Sequence, residues 1–160
     1  MMRRVIPFLL FLFLLLTGCH GGGDEEPRVG AEETVRVILT ALDEEDEFHP
    51  ADPDYLENCF AFEAAPTDAA IFFGEEYGIE IGVFFFADAA TAKASLPAVR
   101  EYLATEEQSV RDLAALYPAE ELRARLFRYE NAVVLQKGRT VAYFLLEDDD
   151  RVTAERTFLK

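Results

Sequence analysis

From Ala92 to Tyr117 the apolar residues Ala92, Leu96, Val99, Leu103, Val110, Leu113 and Tyr117 recur at alternating steps of four and three, and Glu106 occupies the one missing step. A stripe with that period lies along one face of an α-helix of about 25 residues, roughly 38 Å long. It needs a partner surface of similar length. Asp88 stands where an N-cap belongs, Pro97 removes a backbone donor inside the helix and predicts a kink, and Pro118 ends it. Ala119 to Leu126 has room for a further helical turn or two.

Strand patterns flank the stripe on both sides, so its expected partner is a sheet; a groove for a binding partner is the alternative. Ala69–Phe73 and Ile79–Phe86 are apolar runs joined by Gly74-Glu75-Glu76-Tyr77-Gly78, a hairpin signature. In the second run Ile79, Ile81 and Val83 alternate with Glu80 and Gly82 before Phe84-Phe85-Phe86. One face is therefore expected in the core throughout, and the other only near the end. Ala132–Gln136 and Thr140–Leu146 make a second hairpin across Lys137-Gly138-Arg139, rich in β-branched and aromatic residues.

Helical patterns close both ends. Val35, Ile38, Leu39 and Leu42 place an amphipathic helix over Ala31–Leu42, with Glu32 and Glu33 at its positive end, and the charge run Asp43–Glu47 stops it. A loop holding His49, Pro50 and Pro53 follows, then a short helix through Cys59 capped by Asp54. A last helix carries Val152, Ala154, Phe158 and Leu159 behind Asp148-Asp149-Asp150. The order predicts an α+β fold over residues 31–160: a two-layer sandwich of a four-stranded, mainly antiparallel sheet (β-β-α-β-β-α) with helices on one face, preceded by an N-terminal helix.

Ahead of this domain lies a different kind of signal. Arg3 and Arg4 precede the apolar run Val5–Leu16, which leads into Leu16-Thr17-Gly18-Cys19. Twelve residues at ~1.5 Å each reach roughly 18 Å, too short for about 30 Å of hydrocarbon. The pattern is that of a secretory signal, and its last four residues resemble the bacterial lipobox. The resemblance implies cleavage between Gly18 and Cys19, with Cys19 lipidated and first in the mature chain. Residues 1–18 are then a signal peptide, and residues 19–30, with Gly21-Gly22-Gly23 and Asp24-Glu25-Glu26, a flexible, self-repelling tether. Two or three acyl chains hold a protein at a membrane without any apolar patch on its domain. His20 follows the cysteine rather than an inner-membrane-retaining aspartate, which favours the outer membrane in a diderm host and the outer face of the cell membrane in a monoderm one.

Removing Arg3 and Arg4 leaves 13 basic against 31 acidic residues, a formal mature charge of −18. Such a surface is repelled by nucleic acid and by anionic headgroups, and it keeps an exported domain soluble. Cys59 has no partner thiol once Cys19 carries lipid, and its apolar setting in Leu56-Glu57-Asn58-Cys59-Phe60 reads as a buried, inert thiol.

The catalytic inventory is thin. Ser95 and Ser109 both sit on the long helix, His20 falls in the tether and His49 in a loop, which is no basis for a nucleophile and base pair. Histidine and cysteine spacing offers no transition-metal site, and no cofactor is expected. Asp148, Asp149 and Asp150 are weak calcium candidates, lacking the spaced loop that calcium needs. Glu106 is the least arbitrary catalytic candidate: it marks either the place where the helix leaves the sheet or a buried carboxylate with a raised pKa. Gln108 is a candidate hydrogen-bond partner for a turn or strand edge.

Ile79-Glu80-Ile81-Gly82-Val83-Phe84 running into Asp88, Glu107-Gln108, Leu116-Tyr117-Pro118-Ala119-Glu120 and Asn131-Ala132-Val133-Val134-Leu135-Gln136-Lys137-Gly138, with Asp148-Asp149 behind them, resemble a bacterial domain-of-unknown-function family of small lipid-anchored proteins. Arg139-Thr140 stands where such proteins often carry an aromatic residue. The resemblance implies an exported lipoprotein and carries no catalytic residues across. The functional expectation is a cell-envelope lipoprotein acting as a non-enzymatic interaction or ligand-binding module, with the membrane and an envelope protein or small ligand as partners. A carboxylate-dependent envelope enzyme and a calcium-responsive module are the alternatives.

Overall fold

The computed structural model describes residues 30–76 and 78–160. The signal segment and the tether, Gly30 excepted, lie outside the described residues. Among the described residues no helix is long and apolar enough to cross a membrane.

The first helix, α1, is Ala31–Leu42, as the stripe Val35, Ile38, Leu39 predicts. Asp43 stops it in the left-handed region at φ 62°, where a short polar side chain is tolerated. A 3-10 turn over Glu45–Glu47 leads into β1, Phe48–Pro50, and then α2, Pro53–Cys59. The N-cap of α2 is Asp52 rather than Asp54, with a proline at the helix start where no backbone donor is needed. Strands β2 (Asp68–Gly74) and β3 (Glu80–Phe85) form the expected hairpin. The long helix α3 is Ala89–Leu116, running through Pro97, and Asp88 caps it by accepting from Thr91 N at 2.7 Å. Then come α4 (Glu120–Glu130), the hairpin β4 (Val133–Lys137) and β5 (Thr140–Leu145), and α5 (Asp148–Leu159).

The sheet has five strands, not four, in the order β1-β2-β3-β5-β4, every neighbouring pair antiparallel. The added strand is the segment expected to be a loop: Phe48 pairs with Gly74 and Pro50 with Phe72. Proline is tolerated there because β1 is an edge strand and ends at Pro50.

The helices also cover both faces of the sheet, not one. On one face α1 and α5 pack Val35, Ile38, Leu39, Ala154 and Phe158 against Phe72, Ile81, Val83, Phe85, Ala142 and Phe144. On the other α2, α3 and α4 supply Leu56, Val99, Tyr102, Val110 and Tyr129 against Ile71, Phe84, Val141, Tyr143 and Leu145. Because side chains alternate across a strand, β3 and β5 are divided between two cores and are buried along their whole length.

Candidate functional site

Glu80 opens β3 on the α3 side of the sheet and is 3 % exposed. Two phenols bond it and a third stands behind them. Tyr143 comes from β5, where it is the register partner of Gly82. A Cβ on residue 82 would lie 2.0 Å from Tyr143 Cε1, so only glycine lets the ring cross β3 towards the carboxylate. Tyr143 donates to Glu80 Oε1, and Tyr102 of α3 reaches Oε1 and Oε2 at 3.1 and 2.9 Å. The Tyr102 hydroxyl shares a further hydrogen bond of 2.7 Å with that of Tyr55 on α2.

No cation lies within ion-pair distance of Glu80 among the described residues. Burial pushes its carboxyl up to about 7, against the hydrogen bonds from Tyr143 and Tyr102; the Glu106 charge adds to the rise and Arg125 opposes it. Burial, with the Glu80 charge behind it, also raises the phenols of Tyr102 and Tyr143, so both stay donors.

The cluster stands behind a crevice of about 280 Å³ between α2 and α3, lined by Asn58, Cys59, Glu101, Tyr102, Thr105 and Glu106 among others. Tyr102 thus faces the crevice on one side and binds Glu80 with its hydroxyl. Phe60 packs on the Tyr102 ring at 4.5 Å, holding the chain as it leaves α2. A larger open groove of about 740 Å³ runs beside α4, where buried Arg128 bridges Glu76 and Glu147 at 2.9 and 2.7 Å.

Glu106 is not the buried carboxylate. Its side chain is 36 % exposed and stands 3.8 Å from Arg125 of α4, one turn beyond the place where α3 meets the end of β3 through Tyr102. The buried acid is Glu80, which alternation alone assigned to a face left uncovered. The signal for it is the run Phe84-Phe85-Phe86, which requires both faces of the same strand to be covered.

The other candidates are scattered. Ser95 and Ser109 donate to carbonyls one turn back on α3, while His49 lies exposed on β1 with its ring 6.2 Å from that of Phe73. Gln108 donates to Asp112 on its own helix rather than to a turn or strand edge. Cys59 is half-buried on α2; burial raises its thiol, against a hydrogen bond from Tyr55. Asp148, Asp149 and Asp150 occupy the first turn of α5, and Asp148 pairs with Arg151 at 2.9 Å. Among the described residues no three histidine, cysteine, aspartate or glutamate side chains are grouped to hold a metal. Gly18 and Cys19 lie outside the described residues.

The chain matches no family model, no curated protein and no solved structure.

Proposed function

We propose that this protein is a bacterial cell-envelope lipoprotein, anchored by lipid on Cys19, that works by holding another envelope protein rather than by catalysis. The address rests on Leu16-Thr17-Gly18-Cys19 and the tether behind it. The interaction rests on one observation, the uncovered last turn of α3. The stripe that is buried as far as Val110 continues into Leu113, 44 % exposed, with Leu116 at 73 % and Tyr117 at 65 % beside it. These three lie within one turn on one side of the helix.

Position favours a partner over the bilayer. Ala31 N bonds Asp68 at the end of the sheet where α3 begins, and Tyr102 reaches Glu80 at the opposite end. The exposed turn lies about 21 Å further along the helix. Ala31 and the apolar tip are therefore at opposite poles of the domain. Exposed Asp112, Glu120 and Glu121 flank the tip, and the mature charge is −18. The fitting occupant is a protein with an apolar socket rimmed by lysine and arginine; a second copy is repelled.

Two experiments test this reading. Metabolic labelling with a palmitate analogue places lipid on the wild type and none on Cys19→Ala. A photo-crosslinking residue at Leu116 captures one recurrent protein in the native host, which the same residue at Asp149 does not. Turnover of an envelope substrate by the purified protein, or capture identical at both positions, contradicts it.

A further inference from the structure

Two strands end the sheet, and only one of them is closed to further pairing. β1 is three residues long and stops at Pro50, which has no backbone donor to offer. β4 has no such stop. Val133, Val134, Leu135 and Gln136 carry no charge and no proline, and each is half-buried between α3 and α5. Lys137 and Thr140 close a two-residue turn, so Val133, Leu135 and Lys137 exchange bonds with β5. Val134 and Gln136 therefore point their N–H and C=O groups away from the sheet.

Beside this edge α5 carries apolar side chains that its own sheet does not cover. α1 lies over β2 and β3, and α5 over β5 and β4. Ala154 and Phe158 enter the core, and Asp150 acts on Glu44 just past the end of α1. Asp148, Val152, Glu155 and Leu159 recur at helical spacing on the remaining flank, which overhangs β4. Val152 is 39 % exposed there and Leu159 52 %.

We propose that β4 pairs with β4 of a second copy, antiparallel about a twofold axis at Leu135, so that the two sheets become one. The outward groups set the register. Ala132 N is already bonded to Tyr129 O and Gly138 belongs to the turn, so Val134 of one copy exchanges bonds with Gln136 of the other. Val133 then faces Lys137 and Leu135 faces its own copy, and no like charges meet across the strands.

The helices fit the same axis. Strands lie about 4.8 Å apart, which sets the two α5 helices antiparallel and roughly 10 Å apart, a close-packing distance. Val152 then meets Leu159 of the second copy and Glu155 meets its Arg156, while the acidic first turn of α5 lies by its Lys160. At the tip of α3 like charges repel a second copy. Along β4 and α5 the charges pair, and more distant ones are screened beyond about 8 Å at physiological salt.

Sedimentation of the full-length protein in mild detergent should give a dimer. Val134→Pro removes one outward N–H at an edge position, and Leu159→Glu sets an acid against Val152 of the second copy. Both should sediment at half the mass with an unchanged far-ultraviolet circular dichroism spectrum. Cysteine cross-linking in native membranes, on a chain carrying Cys59→Ala, reads the register. Leu135→Cys should form a disulfide-linked dimer on mild oxidation, because its Cα atoms stand about 4.5 Å apart across the axis. Gln136→Cys should not, since its two copies lie diagonally about 7–8 Å apart. A wild-type monomer overturns the proposal, as does a dimer that survives both variants. So does a folded Leu135→Cys chain that stays unlinked, links no better than Gln136→Cys, or links to a different protein.

Discussion

The two faces of the sheet are built from the same strands by opposite rules. Under α1 and α5 the core is aliphatic and phenylalanine, with no ionisable side chain among its buried residues. Under α2, α3 and α4 the core is aromatic and encloses Glu80 with three phenols. An apolar replacement of similar volume for such a cluster is often neutral or stabilising. The first face therefore carries stability, and the second gives some of it up to keep a titrating group near the surface of the fold.

Breaking the first face should cost most. Phe144→Ala leaves a cavity between β5 and Phe158, whose rings lie 6.2 Å apart. Urea unfolding should show a loss of about 3–5 kcal/mol, the same at pH 5.5 and pH 8. The second face should respond to pH instead. The Glu80 carboxyl is raised to about 7 in the folded chain from an ordinary value of 4.5, so the folded state binds the proton more tightly. Its contribution is fully present below pH 4.5 and is lost as pH rises to about 7, a fall of roughly 3 kcal/mol. The difference between wild type and Glu80→Gln across that window isolates it from the other acids.

Gly82→Ala sets a methyl against the Tyr143 ring and should cost about 1–3 kcal/mol. Near-ultraviolet circular dichroism should report the displaced tyrosine. Tyr143→Phe removes one donor and should cost about 1–3 kcal/mol at pH 8, where Glu80 is ionised, and less at pH 5.5. The smallest effect belongs to neither face. Leu116→Ser, at the exposed tip of α3, should leave stability unchanged within about 0.5 kcal/mol, while abolishing capture of the partner through a photo-crosslinking residue placed at Tyr117.

The same contrast explains what was legible in the sequence. α1, α3 and both hairpins are written in periodicity, and their bounds fall within a few residues of expectation. The aliphatic face was legible because Ile81, Val83 and Phe85 keep a strict alternation. The aromatic face was hidden because its positions on β3 begin with Glu80 and Gly82, which read as solvent-facing. Glycine is there to admit a ring from another strand, and the glutamate is satisfied by phenols 22 and 63 residues away. No local pattern carries such pairings. Glu106 drew notice by breaking a stripe on a surface helix, where an acid costs little, while Glu80 drew none in a strand, where it is buried. β1 was missed because three residues ending in proline hold no strand signal of their own; pairing with β2 makes them one.

A carboxyl-detected carbon NMR titration of the glutamates, assigned by the loss of one resonance in Glu80→Gln, tests the titrating face most directly. The Glu80 carboxyl should change with a midpoint near pH 7, well above an exposed glutamate. A midpoint near 4.5 would show a hydrated carboxylate and contradict the closed aromatic site.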